Sequence, residues 1–154
     1  MKINIKLFTA ILIIGLLAAC GGGSATTEEN STPPPKSMVA EEADPMENKG
    51  IGPIKSVELG DIDQALVAEG LKVYESMCTA CHKVDKKFIG PAPKNILTRR
   101  SPEWVMNMIL NPEGMIKEDP IAKKLLVEAN GAPMANQNLT EEQARAVLEY
   151  FRTL

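Results

Sequence analysis

Cys78-Thr79-Ala80-Cys81-His82 is the stretch on which the reading of this 154-residue chain turns. Two thiols at this spacing, followed directly by an imidazole, form the attachment pattern of a c-type haem. The thiols add across the two vinyl groups of one porphyrin, and the neighbouring imidazole lies under the iron as its proximal ligand. One covalent haem c, with its iron, is therefore the expected cofactor. A thioredoxin-like redox pair would need a strand-to-helix context, but this pair follows a helical pattern and no strand run occurs in the chain. Structural zinc takes four ligands. His82 is the only histidine and Cys20 the only other cysteine, so a carboxylate would have to complete such a set. A simple disulfide or a chance match is the remaining alternative.

The single histidine constrains the other side of the iron. A second protein ligand cannot be an imidazole, which leaves methionine as the leading candidate and points to electron transfer rather than catalysis. Eight methionines compete. Met1 falls in a targeting segment, Met38 and Met46 in a linker, and Met77 directly before Cys78. Met106 and Met108 lie in an apolar helical stretch, where methionine usually fills core gaps. Met115 follows Asn111-Pro112-Glu113-Gly114, read as a loop, and is the rival. Met134 lies in a Gly-Ala-Pro loop fifty-two residues after His82, just before the last predicted helix, and is the expected ligand. An open or lysine-ligated iron is the residual reading.

The N-terminal residues read as an export signal. Lys2 and Lys6 precede an apolar run, Leu7 to Ala19, too short for a confident membrane-spanning helix. Leu17-Ala18-Ala19-Cys20 resembles the lipobox of bacterial lipoproteins. That resemblance implies cleavage before Cys20, lipidation of Cys20 and anchorage to the periplasmic side of a bacterial membrane. Gly21 after the cysteine suggests the outer membrane. The division expected is a signal peptide over 1–19, lipidated Cys20 and a flexible linker over 20–60, and one domain over 61–154. The linker carries Gly21-Gly22-Gly23-Ser24 and Pro33-Pro34-Pro35 and few large apolar residues, so it cannot offset its chain entropy by burial. As a flexible coil it would span roughly 35 Å. Ile51, Ile54, Val57 and Leu59 would let its last residues pack on the domain. The net charge of −3 becomes −5 once residues 1–19 are removed, which argues against nucleic acid as a partner.

The domain reads as all-α, with about four to five helices wrapped around the haem. Asp61 or Asp63 caps a first helix whose Ile62, Leu66, Gly70, Tyr74 and Cys78 share one face. Ser101-Pro102 and Asp119-Pro120 each read as an N-cap followed by proline at the first helical position. The second of these helices should stop at Gly131. Thr140 and Gln143 match a capping box for the last helix, whose Ala144, Val147, Leu148 and Phe151 face one way. That helix is expected to cross the first near Gly70. Trp104 should pack in the core or against the porphyrin edge, with a partner for its indole N–H.

Gly70, Tyr74, Cys78-x-x-Cys81-His82, Gly90-Pro91, Met134, Val147 and Tyr150 together resemble a class I c-type cytochrome, across essentially the whole domain. The resemblance implies that the Pro91 carbonyl accepts a hydrogen bond from His82 and that His82 and Met134 ligate the iron. It also implies that Gln137 can donate to the Met134 sulfur. Ala135 departs from the proline that often follows the family's methionine, which bears on the shape of that loop. Arg99 or Arg100 is a candidate for a haem propionate through charge-assisted bonds. The function implied is a monomeric, membrane-anchored one-electron carrier in an extracytoplasmic respiratory chain, serving membrane-bound donor and acceptor proteins. Lipobox, linker and Arg100-Ser101-Pro102-Glu103-Trp104 followed by Asn111-Pro112 resemble small cytochromes of anaerobic reductases, so nitrous oxide reductase is one acceptor considered. The alternatives are a docked haem c subunit of an oxidase or of a sulfur-compound dehydrogenase, and a haem enzyme or gas sensor with an open iron.

Overall fold

The computed structural model describes residues 44–154. The expected signal peptide, Cys20 and residues 21–43 of the expected linker lie outside the described residues. Among those described there are five α-helices and no strand. They are α1 (Gln64–Met77), α2 (Pro102–Leu110), α3 (Pro112–Glu118), α4 (Pro120–Glu128) and α5 (Glu141–Phe151), with a 3-10 turn at Ile96–Thr98.

Local chemistry sets each helix start. The Asp63 carboxylate accepts from the N–H groups of Ala65 and Leu66 at the head of α1. Ser101 Oγ accepts from Trp104 N–H, and Asp119 Oδ1 from Ala122 N–H, each with proline at the first helical position. Thr140 and Gln143 form both bonds of the capping box on α5. One start escaped the sequence reading. Asn111-Pro112 opens α3 rather than a loop, because Asn111 Oδ1 caps Gly114 N–H while Pro112 presets the first turn. Met115 therefore lies on a helix, and it is fully buried.

α1 and α5 cross at Gly70. A side chain there would drive its Cβ into the Ala146 carbonyl of α5, so backbone meets backbone at the crossing. The aromatic rings of Tyr74, Tyr150 and Phe151 close the seam beside it, with centroids 5.4–6.0 Å apart. At the amino end of the same pair, buried Glu149 accepts from Asp63 N–H at 3.0 Å and from Arg152 at 2.6 Å. Arg145 stands 3.0 Å from its other oxygen as an ion pair without an aligned N–H. α2 packs on α5 through a core that includes Trp104, Val105, Ile109, Val147 and Leu148.

The far end of the expected linker is part of this body. Asn107 of α2 is wholly buried; its Oδ1 accepts from Ile54 N–H, and its Nδ2 donates to the carbonyls of Lys49 and Ile54, all at 2.9 Å. Asn48 donates to Asp119 at 2.6 Å, and Ile51 N–H donates to the Met115 sulfur at 2.9 Å. Residues 48–54, late in the expected linker, thus pack on the helical body. A buried amide with every partner satisfied recruits the segment, together with buried Ile54.

In an isolated helix Gly70→Ala would be worth about 1 kcal/mol in favour of the variant. At this crossing the sign reverses. Gly70→Ala is expected to destabilise the holoprotein by about 1–3 kcal/mol, seen as a fall in Tm of roughly 4–8 °C per kcal/mol for a domain of this size when unfolding is followed by circular dichroism.

Candidate haem site

α1 ends where the motif begins. The Cys78 N–H closes the last turn on the Tyr74 carbonyl at 2.9 Å, and Cys81 and His82 both turn back onto the Cys78 carbonyl, at 3.1 and 2.9 Å. Cys78 and Cys81 form no disulfide. Burial, and then the nearby Cys81, push the Cys78 thiol up to about 11, so an unattached Cys78 would be a neutral thiol at physiological pH. Tyr74 Oη donates to the His82 carbonyl at 3.1 Å and fixes the motif to α1. Its own ionisation is shifted upward, by burial first and then by Tyr150 and Cys78.

The loop after His82 folds back beneath it. Gly90 N–H donates to the Cys81 carbonyl at 2.9 Å and Lys94 N–H to the Val84 carbonyl at 3.0 Å. This brings the Pro91 carbonyl to 2.8 Å from His82 Nδ1. A carbonyl only accepts, so Nδ1 carries a proton, and in the neutral ring Nε2 is the nitrogen with a lone pair for a metal. Gly90 is required here. A Cβ at that position would collide with Cε1 and both nitrogens of the imidazole.

His82 opens onto a cavity of about 420 Å³. Cys78, Cys81, Pro91, Met134, Gln137, Arg99 and Arg100 line it as well, so the fold gathers every cofactor-binding residue expected in the described part of the chain. Most of the remaining wall is apolar, with Val105, Ile109, Leu125, Leu126, Val147 and Phe151 among the contributors. A free imidazole nitrogen, two thiols and an apolar slot lined by thioether sulfur form a donor set that suits haem c.

The methionines sort by position. Met115 stands away from the cavity: it is buried in the core, its sulfur accepts from Ile51 N–H and lies against Gly50, and it is not among the cavity's lining residues. Met108 of α2, expected to be core filler, does line the cavity while also packing on the core. Met134 reaches the cavity from the loop between α4 and α5.

The expected contact between Gln137 and the Met134 sulfur is not what the structure shows. Gln137 Nε2 donates to the Ala135 carbonyl at 3.3 Å, within its own loop. Of the two arginines, Arg99 donates to the Ala92 carbonyl at 3.0 Å. Arg100 lies over the Trp104 ring at 5.3 Å, with its Nε buried and unpaired. Burial, and then Arg99, shift Arg100 downward, against an upward pull from Asp119 and Glu128. Of the two, Arg100 has the stronger claim on an anionic haem substituent. Trp104 Nε1 donates to Asp119 Oδ1 at 3.1 Å, which supplies the indole partner the sequence left open. Sequence reasoning also missed Lys87, which lines the cavity and donates to the Glu128 carbonyl at 2.8 Å. Nothing local in the sequence signals a contact between residues 41 positions apart.

The cytochrome c family model matches residues 67–154, more than half of the chain. This chain belongs to the cytochrome c family. The solved structure of a cytochrome c from Rhodothermus marinus is 48% identical, with a TM-score of 0.64, over 66% of this chain and 88% of that one. An engineered form, Rma TDE, matches with the same identity and TM-score over 66% and 89%. The same engineered protein bound to a carbene intermediate matches at 48% identity and a TM-score of 0.61, over 66% and 88%. No curated protein matches the chain. As in its family, this cytochrome c binds one haem c covalently through Cys78 and Cys81 and transfers electrons.

Because the imidazole lies flat on Gly90, Gly90→Val should displace His82 from Pro91. The holoprotein is expected to lose about 1–3 kcal/mol of stability and to show an altered ferric absorption spectrum. Gly60→Ala, whose added Cβ meets nothing within 4 Å, should leave both unchanged in parallel thermal melts and spectra.

Proposed function

We propose that His82 and Met134 are the axial ligands of the haem iron, and that the protein is a membrane-anchored one-electron carrier working between respiratory donor and acceptor proteins outside the cytoplasm. The observation that carries this reading is the oriented imidazole. With Nδ1 committed to the Pro91 carbonyl, Nε2 is left to the metal in the cavity that Met134 also lines. Bound there, the haem supplies a ferrous–ferric couple that accepts and gives up a single electron.

The chain's own residues do the rest. The hydrogen bond to Pro91 holds the imidazole plane and raises its basicity. Thioether ligation from Met134 favours a higher potential than a second imidazole would. With His82 and Met134 both bound, the iron would have no vacancy for oxygen or peroxide, as transfer rather than catalysis requires. The apolar wall would shield a bound haem from water, and protein groups placed in advance would limit reorganisation when the charge changes. Export and lipidation at Cys20 rest on the lipobox resemblance. Such an anchor would raise the domain's effective concentration near membrane-bound partners. The stretch that resembled reductase-linked cytochromes offers little about the acceptor, because Ser101, Pro102, Asn111 and Pro112 are occupied in starting helices.

Met134→Ala should abolish the thioether-to-iron charge-transfer band at the red end of the ferric spectrum, whereas Met108→Leu should retain it. Met134→His should lower the reduction potential by something on the order of 0.1–0.3 V, a fraction of the range that axial ligation spans, measured by spectroelectrochemistry. A band that survives Met134→Ala would remove Met134 as the ligand.

A further inference from the structure

The loop between α4 and α5 carries Met134 yet is sparsely tied. Its hydrogen bonds are local: Gly131 N–H to the Leu126 carbonyl, Ala132 N–H to the Ala129 carbonyl, Asn138 N–H to Asn136, and Gln137 to the Ala135 carbonyl. Three of its backbone positions, Asn130, Gly131 and Asn138, have positive φ. Apolar packing of Met134 and Leu139 on the core is its other support. Among the described residues, one hydrogen bond joins the carboxyl half of α4 and this loop to a different part of the fold. Lys87 Nζ donates to the Glu128 carbonyl at 2.8 Å.

The two ends of that bond differ in rigidity. Lys87 rides on the loop that Gly90 fastens to Cys81 and Pro91 fastens to His82, and that loop is further anchored once Cys81 bonds to haem. Glu128 is the last residue of α4, where unpaired carbonyls and the negative end of the helix dipole attract a cation. Lys87 also lines the cavity, so the bond joins the segment that carries His82 to the segment that leads into Met134.

We propose that Lys87 is a positioning residue for Met134. It clasps the end of α4 to the His82 loop and so restrains the loop from which the sulfur reaches the iron. This rests on Met134 as the sulfur ligand. The bond is exposed, so its effect is modest. Losing it should let the sulfur leave about two to five times more often, the scale of one solvent-exposed charged contact.

The test uses the full-length holoprotein and its Lys87→Ala, Lys87→Arg and Lys124→Ala variants. Hydrogen exchange over residues 126–139 reads the clasp, and the rate of carbon monoxide binding to the ferrous protein reads departure of the sulfur. Lys87→Ala should speed both about two- to five-fold, and Lys87→Arg, which keeps a donor and the charge, should return both toward wild type. Lys124→Ala removes an exposed charge from α4 without the contact and should change neither. Unchanged exchange and rate in Lys87→Ala, or an equal change in Lys124→Ala, would overturn the clasp while leaving Met134 in place. Wild-type protein that binds carbon monoxide fast and in proportion to its concentration would instead sink Met134 ligation, and with it this role for Lys87.

Discussion

The structure depends on the close approach of α1 and α5 at Gly70. With no side chain there, the backbone of one helix rests on the Ala146 carbonyl of the other. That contact fixes the direction of α1, and α1 ends on Cys78. The haem-attachment motif is therefore placed by a helix crossing about two turns away. The rings of Tyr74, Tyr150 and Phe151 and the buried carboxylate of Glu149 hold the crossing at its two ends. Tyr74 adds a direct link through its hydroxyl to the His82 carbonyl. Orientation of the imidazole thus has two sources: the crossing above, and the Gly90-Pro91 loop below.

A second set of constraints is polar and buried. Asp119 caps α4, accepts the Trp104 indole N–H and receives Asn48. Asn107 bonds three backbone groups of residues 49 and 54. Both of these buried side chains, Asp119 and Asn107, are engaged, which is the condition for keeping such groups in a core at all. The result is that a glycine- and lysine-containing segment, with little burial of its own, becomes part of the domain. The same packing engages the Met115 sulfur, leaving sulfur to reach the cavity from α2 and from the loop before α5.

Much of this was legible in advance because the signals were local. Caps at Asp63, Ser101, Asp119 and Thr140 depend on a side chain and the turn that follows it. Cys78, Cys81 and His82 announce haem because the chemistry needs those groups at that spacing. Gly90-Pro91 was readable through resemblance, and the 2.8 Å contact gives it a physical role. What failed was also instructive. Asn111-Pro112-Glu113-Gly114 read as a loop because glycine and proline dominate it, but an asparagine cap and a proline at the first position suffice to start a short helix. Gln137, expected near the Met134 sulfur by resemblance, spends one amide N–H on a carbonyl two residues away.

By itself, the sequence determined the cofactor, the all-α class and four of the five helix starts, because each is written in residues within a few positions of one another. Only the tertiary structure decided which methionines face the cavity, how residues 48–54 pack and which lysine joins the His82 loop to the end of α4. Those outcomes are set by partners 41 to 71 residues apart. Contacts at that separation arise from how the helices pack, and no local pattern of side chains encodes them.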